Sequence, residues 1–195
     1  MSDIAALILA GGQSSRMGQD KALVEVDGAP ILQRVYRVAN ECGDRVYVLT
    51  PWRDRYEEIL PGDCRWLVES NPGGGPMSGF AQGLDRIECE WLLLLGCDLP
   101  LLRSDILQNW IERLETLPDS TLAMVPKQAA GWEPLCGFYR KAIAPELRQF
   151  MESGGRSFQR WLPQINVEEI APDSEAVLML KNINTPQDLE RLGEG

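Results

Sequence analysis

The chain has 195 residues, 44% of them hydrophobic and 25% charged, which is the composition of a folded globular protein of ordinary domain size. Its 19 Lys and Arg stand against 29 Asp and Glu, a formal net charge of −10, so its field repels nucleic acid and anionic membrane and neither is expected as a partner. There is no histidine, which excludes Ser-His-Asp and Cys-His catalysis and His-ligated zinc, and the five cysteines form no CxxC pair.

Residues 4–10, IAALILA, form a nearly unbroken apolar run that predicts a strand buried on both faces of a parallel sheet. Ile31, Leu32, Val35, Val38 and Ala39 recur at helical spacing behind Pro30, which suits a first helical turn. The pattern then gives a strand over 45–50, a short helix over 56–60 ending at Pro61, and a short strand over 66–68. PGGGP at 72–76 is too rich in breakers for a regular element, and helix is expected from Met77 to Ile87. WLLLL at 91–95 is the strongest strand signal, and Ser104 is positioned to cap a helix whose core face is Ile106, Leu107, Trp110, Ile111 and Leu114.

Further on, 122–125 and 135–139 read as strands around a loop at 129–132, with helix over 141–151 and short strands over 166–170 and 177–180. Thr185 caps a last helix with Pro186 in its first turn and Asp188 at the capping-box distance. No linker or fixed-period repeat interrupts the chain, so residues 1–195 are read as one domain of about seven strands with flanking helices. No stretch reaches the roughly 20 apolar residues that span a bilayer, and the N-terminus carries no basic-then-apolar leader, so the cytosol is the expected location.

The densest chemical signal is LAGGQSSRMGQDK, residues 9–21, directly after the first strand. Gly11 and Gly12 let main-chain amides converge on phosphate oxygens, while Ser14, Ser15, Arg16 and Lys21 add donors and positive charge. The spacing matches neither GxGxxG nor the P-loop pattern. Asp98 follows the strongest strand and Gly96-Cys97, where a carboxylate is well placed to hold Mg²⁺. Between them, ESNPGGGPMSG, residues 69–79, offers glycines up to Gly79 for close approach to a flat ligand, and either Glu69 or Asn71 to read donors on a base edge. Trp132, Glu133 and Pro134 mark a loop suited to a second substrate.

LAGGQSSRMGQDKA, together with GGGPMSGF, LLGCDLPLL, WEPLCGFY and NINTPQDLERL, resembles the molybdenum cofactor guanylyltransferases, the MobA proteins, over landmarks from Leu9 to Leu192. The resemblance implies a Rossmann-like nucleotidyltransferase fold, a three-layer α/β/α arrangement around a mostly parallel sheet. It implies transfer of GMP from GTP to the terminal phosphate of molybdopterin or Mo-molybdopterin, with Mg²⁺ as cofactor and release of pyrophosphate. Carried over by motif, Leu9, Ala10, Gly11 and Gly12 fall near guanine and the phosphates, Arg16 and Lys21 at the triphosphate, and Asp98 at the metal. Asn182 and Asn184 of NINTP match the asparagines on the cofactor side. The family has aspartate ahead of its PGxGP segment, where this chain offers Glu69 or Asn71. LAGG and QDK resemble the guanylyl rather than the cytidylyl branch, and a glycine at position 11 is expected to open room for the larger purine. Cytidylyl or sugar-phosphate nucleotidyl transfer, a non-catalytic nucleotide-binding role, and delivery of the cofactor to other molybdenum cofactor biosynthesis proteins are the competing readings.

Overall fold

The computed structural model describes residues 2–11, 20–183 and 188. In chain order, β1 (Ile4–Leu9) leads to a small ribbon of β2 (Glu25–Val26) and β3 (Ala29–Pro30), then α1 (Ile31–Cys42) and β4 (Arg45–Thr50). β5 (Arg65–Val68), α2 (Gly75–Arg86), β6 (Trp91–Gly96) and α3 (Ser104–Leu114) follow. The second half contains β7 (Ala123–Gln128), β8 (Gly131–Trp132), β9 (Cys136–Arg140), α4 (Ala144–Glu152), α5 (Phe158–Trp161), β10 (Val167–Ile170) and α6 (Ser174–Met179).

The main sheet runs β10-β7-β9-β6-β1-β4-β5, with β8 appended to β7. β1 pairs in parallel with both β4 and β6, β4 with β5, and β7 with β10, whereas β9 runs against β6 and β7. The alternation of β1 explains the layering. Ala6, Ile8 and Ala10 pack toward Ile31, Leu32 and Val35 of α1, Leu107 and Trp110 of α3, and Met179 of α6. Ala5 and Leu7 face Met77, Phe80 and Leu84 of α2, Leu147 of α4, and Phe158 and Trp161 of α5. The expected three-layer α/β/α arrangement is therefore present, and a strand buried on both faces is what an unbroken apolar run requires.

α2 approaches β1 closely because Gly79 and Gly83 face it. A Cβ on Gly83 would stand 2.1 Å from Leu7 Cδ2, and one on Gly79 3.0 Å from Leu49 Cδ2 and 3.1 Å from Leu9 Cδ2. Leu7 is fully buried and cannot swing aside. Gly83→Ala should gain about 1 kcal/mol of helix propensity but lose more to overpacking, typically ~1–3 kcal/mol. Urea denaturation is expected to show a net loss of stability, and the same Gly83→Ala change introduced into a Leu7→Ala chain should cost less than it does in the wild type, because the added methyl then fills space the leucine vacated.

Several expectations shift. Residues 177–180 are not a strand: α6 covers Ser174–Met179, with the Asp173 carboxylate accepting from Ala176 N at 2.9 Å. The apolar run VLML was too short to fix a period, and burial of Ala176, Met179, Leu180 and Ile183 follows helical spacing. At 56–60 the chain turns after a 3-10 turn at Arg53–Arg55 rather than forming a helix. Arg103, not Ser104, holds the cap position of α3, and no side chain caps that end. Pro30 is likewise the cap of α1 and not part of its first turn. α2 begins at Gly75, inside the breaker segment, where Gly73 and Gly75 take positive φ of 87° and 80°. Lys141–Ile143 is a 3-10 turn ahead of α4. The 129–132 loop holds the two-residue strand β8, pinned by Gln159, whose amide accepts from Trp132 N at 2.9 Å and donates to Trp132 O at 2.6 Å. Thr185 and Pro186 of the expected last helix lie outside the described residues, while Asp188 is helical.

Candidate functional site

The carboxyl ends of β1, β4 and β6 open into a cavity of about 410 Å³, whose lining includes Leu9, Ala10, Gly11, Lys21, Glu69, Gly79 and Asp98. Seven of the residues singled out from the sequence are thus brought together at the edge where open α/β sheets present ligands. Gly12, Ser14, Ser15, Arg16 and Asn184 lie outside the described residues. A second depression of about 270 Å³ lies on the outer helical face between α2 and α4, lined by Ala81, Leu84, Leu147 and Met151 among others and by none of the residues predicted for the site.

β1 continues past Leu9 because Ala10 N donates to Leu49 O at 2.9 Å, which carries Gly11 up to the cavity wall. Glu69 arrives beside it from the end of β5, held by its own N–H on Thr50 O at 3.2 Å. A Cβ on Gly11 would lie 2.4 Å from Glu69 Oε2. The volume that a side chain at position 11 would fill is therefore taken by the Glu69 carboxylate. Glu69 is 8% exposed and its carboxyl is pushed up from the ordinary value by burial. The carboxylate accepts no hydrogen bond from another described residue. Asn71, the alternative, is exposed and turned back on its own loop, donating to Ser78 Oγ at 3.4 Å, and is not part of the cavity lining.

Lys21 starts a 3-10 turn capped by Asp20, whose carboxylate accepts from Ala22 N at 3.1 Å. The hydroxyl of Tyr56 donates to the other oxygen of Asp20 at 2.7 Å, and Arg55 approaches it at 3.7 Å. Tyr56 is 1% exposed, and burial followed by the Asp20 hydrogen bond raises its phenol, so it stays a donor. Tyr56 thus anchors the end of the glycine-rich segment. Sequence reading missed it, because its stretch reads as a helix and a buried hydroxyl partner leaves no periodic mark.

Asp98 lies two residues past β6. Burial raises its carboxyl and the nearby Lys21 ammonium opposes that rise. Its carbonyl accepts from Ile183 N at 3.1 Å, which brings the segment of exposed Asn182 against the strand end, although Asn182 is not in the cavity lining. The adjacent Cys97 thiol is pushed up to about 12 by burial and then by the Asp98 charge, and so stays protonated. Beyond Leu135, Glu133 accepts from Gln128 at 2.9 Å. Its carboxyl is raised by burial, with that hydrogen bond opposing and the Asp98 charge adding.

Among the described residues no cluster of three or more Asp, Glu, His or Cys could enclose a metal. One strand-end carboxylate beside an ammonium fits a different arrangement, in which a hard cation takes one protein oxygen and completes its shell with phosphate oxygens and water.

Among the described residues, glycine main chain at a strand end, the Lys21 ammonium and the three carboxylates of Asp20, Glu69 and Asp98 around one cavity on a doubly wound sheet are the features of a nucleotide-binding α/β protein. Residues 6–167 match the MobA-like NTP transferase domain, and the chain belongs to that family. It is 49% identical to a probable molybdenum cofactor guanylyltransferase of Nostoc sp. strain PCC 7120, over 97% of this chain and 90% of the relative. It is 44% identical to another protein of that name from Synechococcus elongatus, over 97% and 98%. The crystal structure of molybdopterin-guanine dinucleotide biosynthesis protein A from Archaeoglobus fulgidus shares the fold with TM-score 0.79 at 21% identity, covering 97% of each chain. No helix among the described residues is long and apolar enough to cross a membrane.

Proposed function

We propose that this protein transfers GMP from GTP to the terminal phosphate of a molybdopterin-type cofactor, forming the guanine dinucleotide cofactor and pyrophosphate. The observation that carries this reading is the convergence of Gly11, Lys21, Glu69 and Asp98 on one cavity in a chain 49% identical to a relative of that name. In the reaction, an oxygen of the acceptor phosphate forms a bond to the α-phosphorus of GTP. The bond from that phosphorus to its bridging oxygen breaks, and pyrophosphate leaves with the electron pair. A phosphate monoester has a second pKa of about 6. It is therefore already anionic at neutral pH, and a chain without histidine needs no strong base.

The protein's task is alignment and charge compensation. The Lys21 ammonium donates to the triphosphate, and Asp98 holds Mg²⁺, which when bound supplies charge neutralisation at the phosphate oxygens. Glu69 accepts from guanine N1–H and the 2-amino group, a pair of adjacent donors that cytosine lacks. Leu135 and the Glu133 turn bound the acceptor end, and the Asn182 segment flanks it.

The test is mass spectrometry of the products after mixing purified protein, Mg²⁺, molybdopterin and either GTP or CTP. A guanine dinucleotide with stoichiometric pyrophosphate is expected. A cytosine dinucleotide as the main product would move the protein to the cytidylyl reaction, and tight GTP binding without product would make it a binding protein.

A further inference from the structure

Gly96 ends β6 and stands two residues ahead of Asp98. A Cβ on Gly96 would lie 2.6 Å from Asp98 Oδ1 and 3.4 Å from both Cβ and Cδ1 of Leu135. The carboxylate of Asp98 therefore occupies the volume that any other residue at position 96 would fill. Backbone conformation does not explain this glycine, since among the described residues the glycines with positive φ are Gly28, Gly73, Gly75, Gly131 and Gly154, and Gly96 is not one of them. Space does.

The main chain around this seat is tied down on both sides. Gly96 N donates to Leu135 O at 2.9 Å, and Asp98 O accepts from Ile183 N at 3.1 Å. A methyl group at position 96 cannot be relieved by moving either strand end without breaking one of these bonds, and the wall formed by Leu135 closes the other flank. The movable part is the Asp98 side chain, which would have to rotate away. The cleft repeats the device at the end of the neighbouring strand, where Gly11 gives its missing Cβ volume to Glu69 Oε2.

We infer that Gly96 is a positioning residue that sets the direction of the Asp98 carboxylate through the space it leaves empty, and thereby sets the affinity of the cleft for a divalent cation. This rests on the reading that Asp98 holds that cation. The carboxylate is kept folded over its own strand end beside Lys21, so a metal–nucleotide complex meets a ligand already in place. A supporting residue of this kind typically accounts for roughly 10–100-fold in metal affinity.

The experiment is direct binding, free of turnover. Mn²⁺ is titrated by electron paramagnetic resonance into the full chain saturated with α,β-methylene GTP, for wild type, Gly96→Ala, Asp98→Ala and the double variant. Gly96→Ala is expected to weaken Mn²⁺ binding by about tenfold or more, with nucleotide affinity in the absence of metal within about twofold of wild type. The double variant should bind no more weakly than Asp98→Ala alone, since two changes acting through one group are not additive. If Asp98→Ala weakens Mn²⁺ binding and Gly96→Ala does not, or if the two losses add, the positioning role is overturned and the metal role of Asp98 stands. If Asp98→Ala binds Mn²⁺ like wild type, the metal reading falls and takes this inference with it. Should Gly96→Ala alone fail to fold, the double variant, which lacks the clashing oxygen, is expected to fold. Failure of both would show that the methyl meets something other than Asp98.

Discussion

Asp98→Asn is expected to lose roughly 10²–10³-fold in kcat, the usual cost of removing one preorganised electrostatic contact from a transition state, while becoming more resistant to heat than the wild type. The two effects have one origin. Burial holds the Asp98 carboxyl above its ordinary value of 3.8, with Lys21 acting against it, so the ionised carboxylate is one that the folded protein solvates less well than water would. Between 3.8 and the raised value the native state binds more protons than the unfolded chain, and stability falls as pH rises through that window. Above it the cost is fully present and constant. The amide removes it while keeping the shape that rests on Gly96.

Thermal midpoints of wild type and Asp98→Asn should therefore diverge as pH climbs from about the unperturbed aspartate value through the raised one and run parallel beyond. Turnover measured across a Mg²⁺ series separates this from a folding defect: the variant should remain slow even when the ion is in excess. A variant with wild-type kcat would remove Asp98 from the reaction. One with a lowered thermal midpoint would show that the carboxylate is a structural partner and not a functional strain.

The central sheet was legible because burial on both faces leaves only one kind of residue. IAALILA and WLLLL admit no polar member, and they became β1 and β6, neighbours at the centre of the sheet. Where burial was one-sided or the run short, the pattern lost its meaning. VLML at 177–180 formed part of a capped helical turn, and α5 gave no signal because four residues cannot display a period.

In the site, the sequence marked residues whose chemistry is unusual for their position: glycines straight after a strand, and a carboxylate at the mouth of another. It did not mark relations. That Tyr56 donates to Asp20, that Glu69 rather than Asn71 turns inward, and that two glycines serve two carboxylates are consequences of strands distant in sequence ending side by side. Such pairings leave no periodic trace in the chain, so only the assembled sheet reveals them.

Gly11→Ala is expected to lower kcat/KM for GTP by roughly 10–100-fold, matching the ~1.5–3 kcal/mol typical of hydrogen bonds to a charged group, and to leave the low efficiency with CTP nearly unchanged. The new methyl would stand 2.4 Å from Glu69 Oε2, so the carboxylate must leave the position from which it meets the guanine edge. The effect works through Glu69, which distinguishes it from a simple loss of room for the purine. Shortening that side chain should help: Glu69→Asp withdraws the carboxylate by one methylene, and Gly11→Ala combined with Glu69→Asp is expected to regain part of the GTP preference that Gly11→Ala alone has lost. If the methyl obstructed the base itself, shortening Glu69 would restore nothing. Steady-state kinetics with both nucleotides on the four proteins decides the matter. Equal GTP and CTP efficiencies in wild type and Gly11→Ala would remove this strand-end pair from base selection altogether.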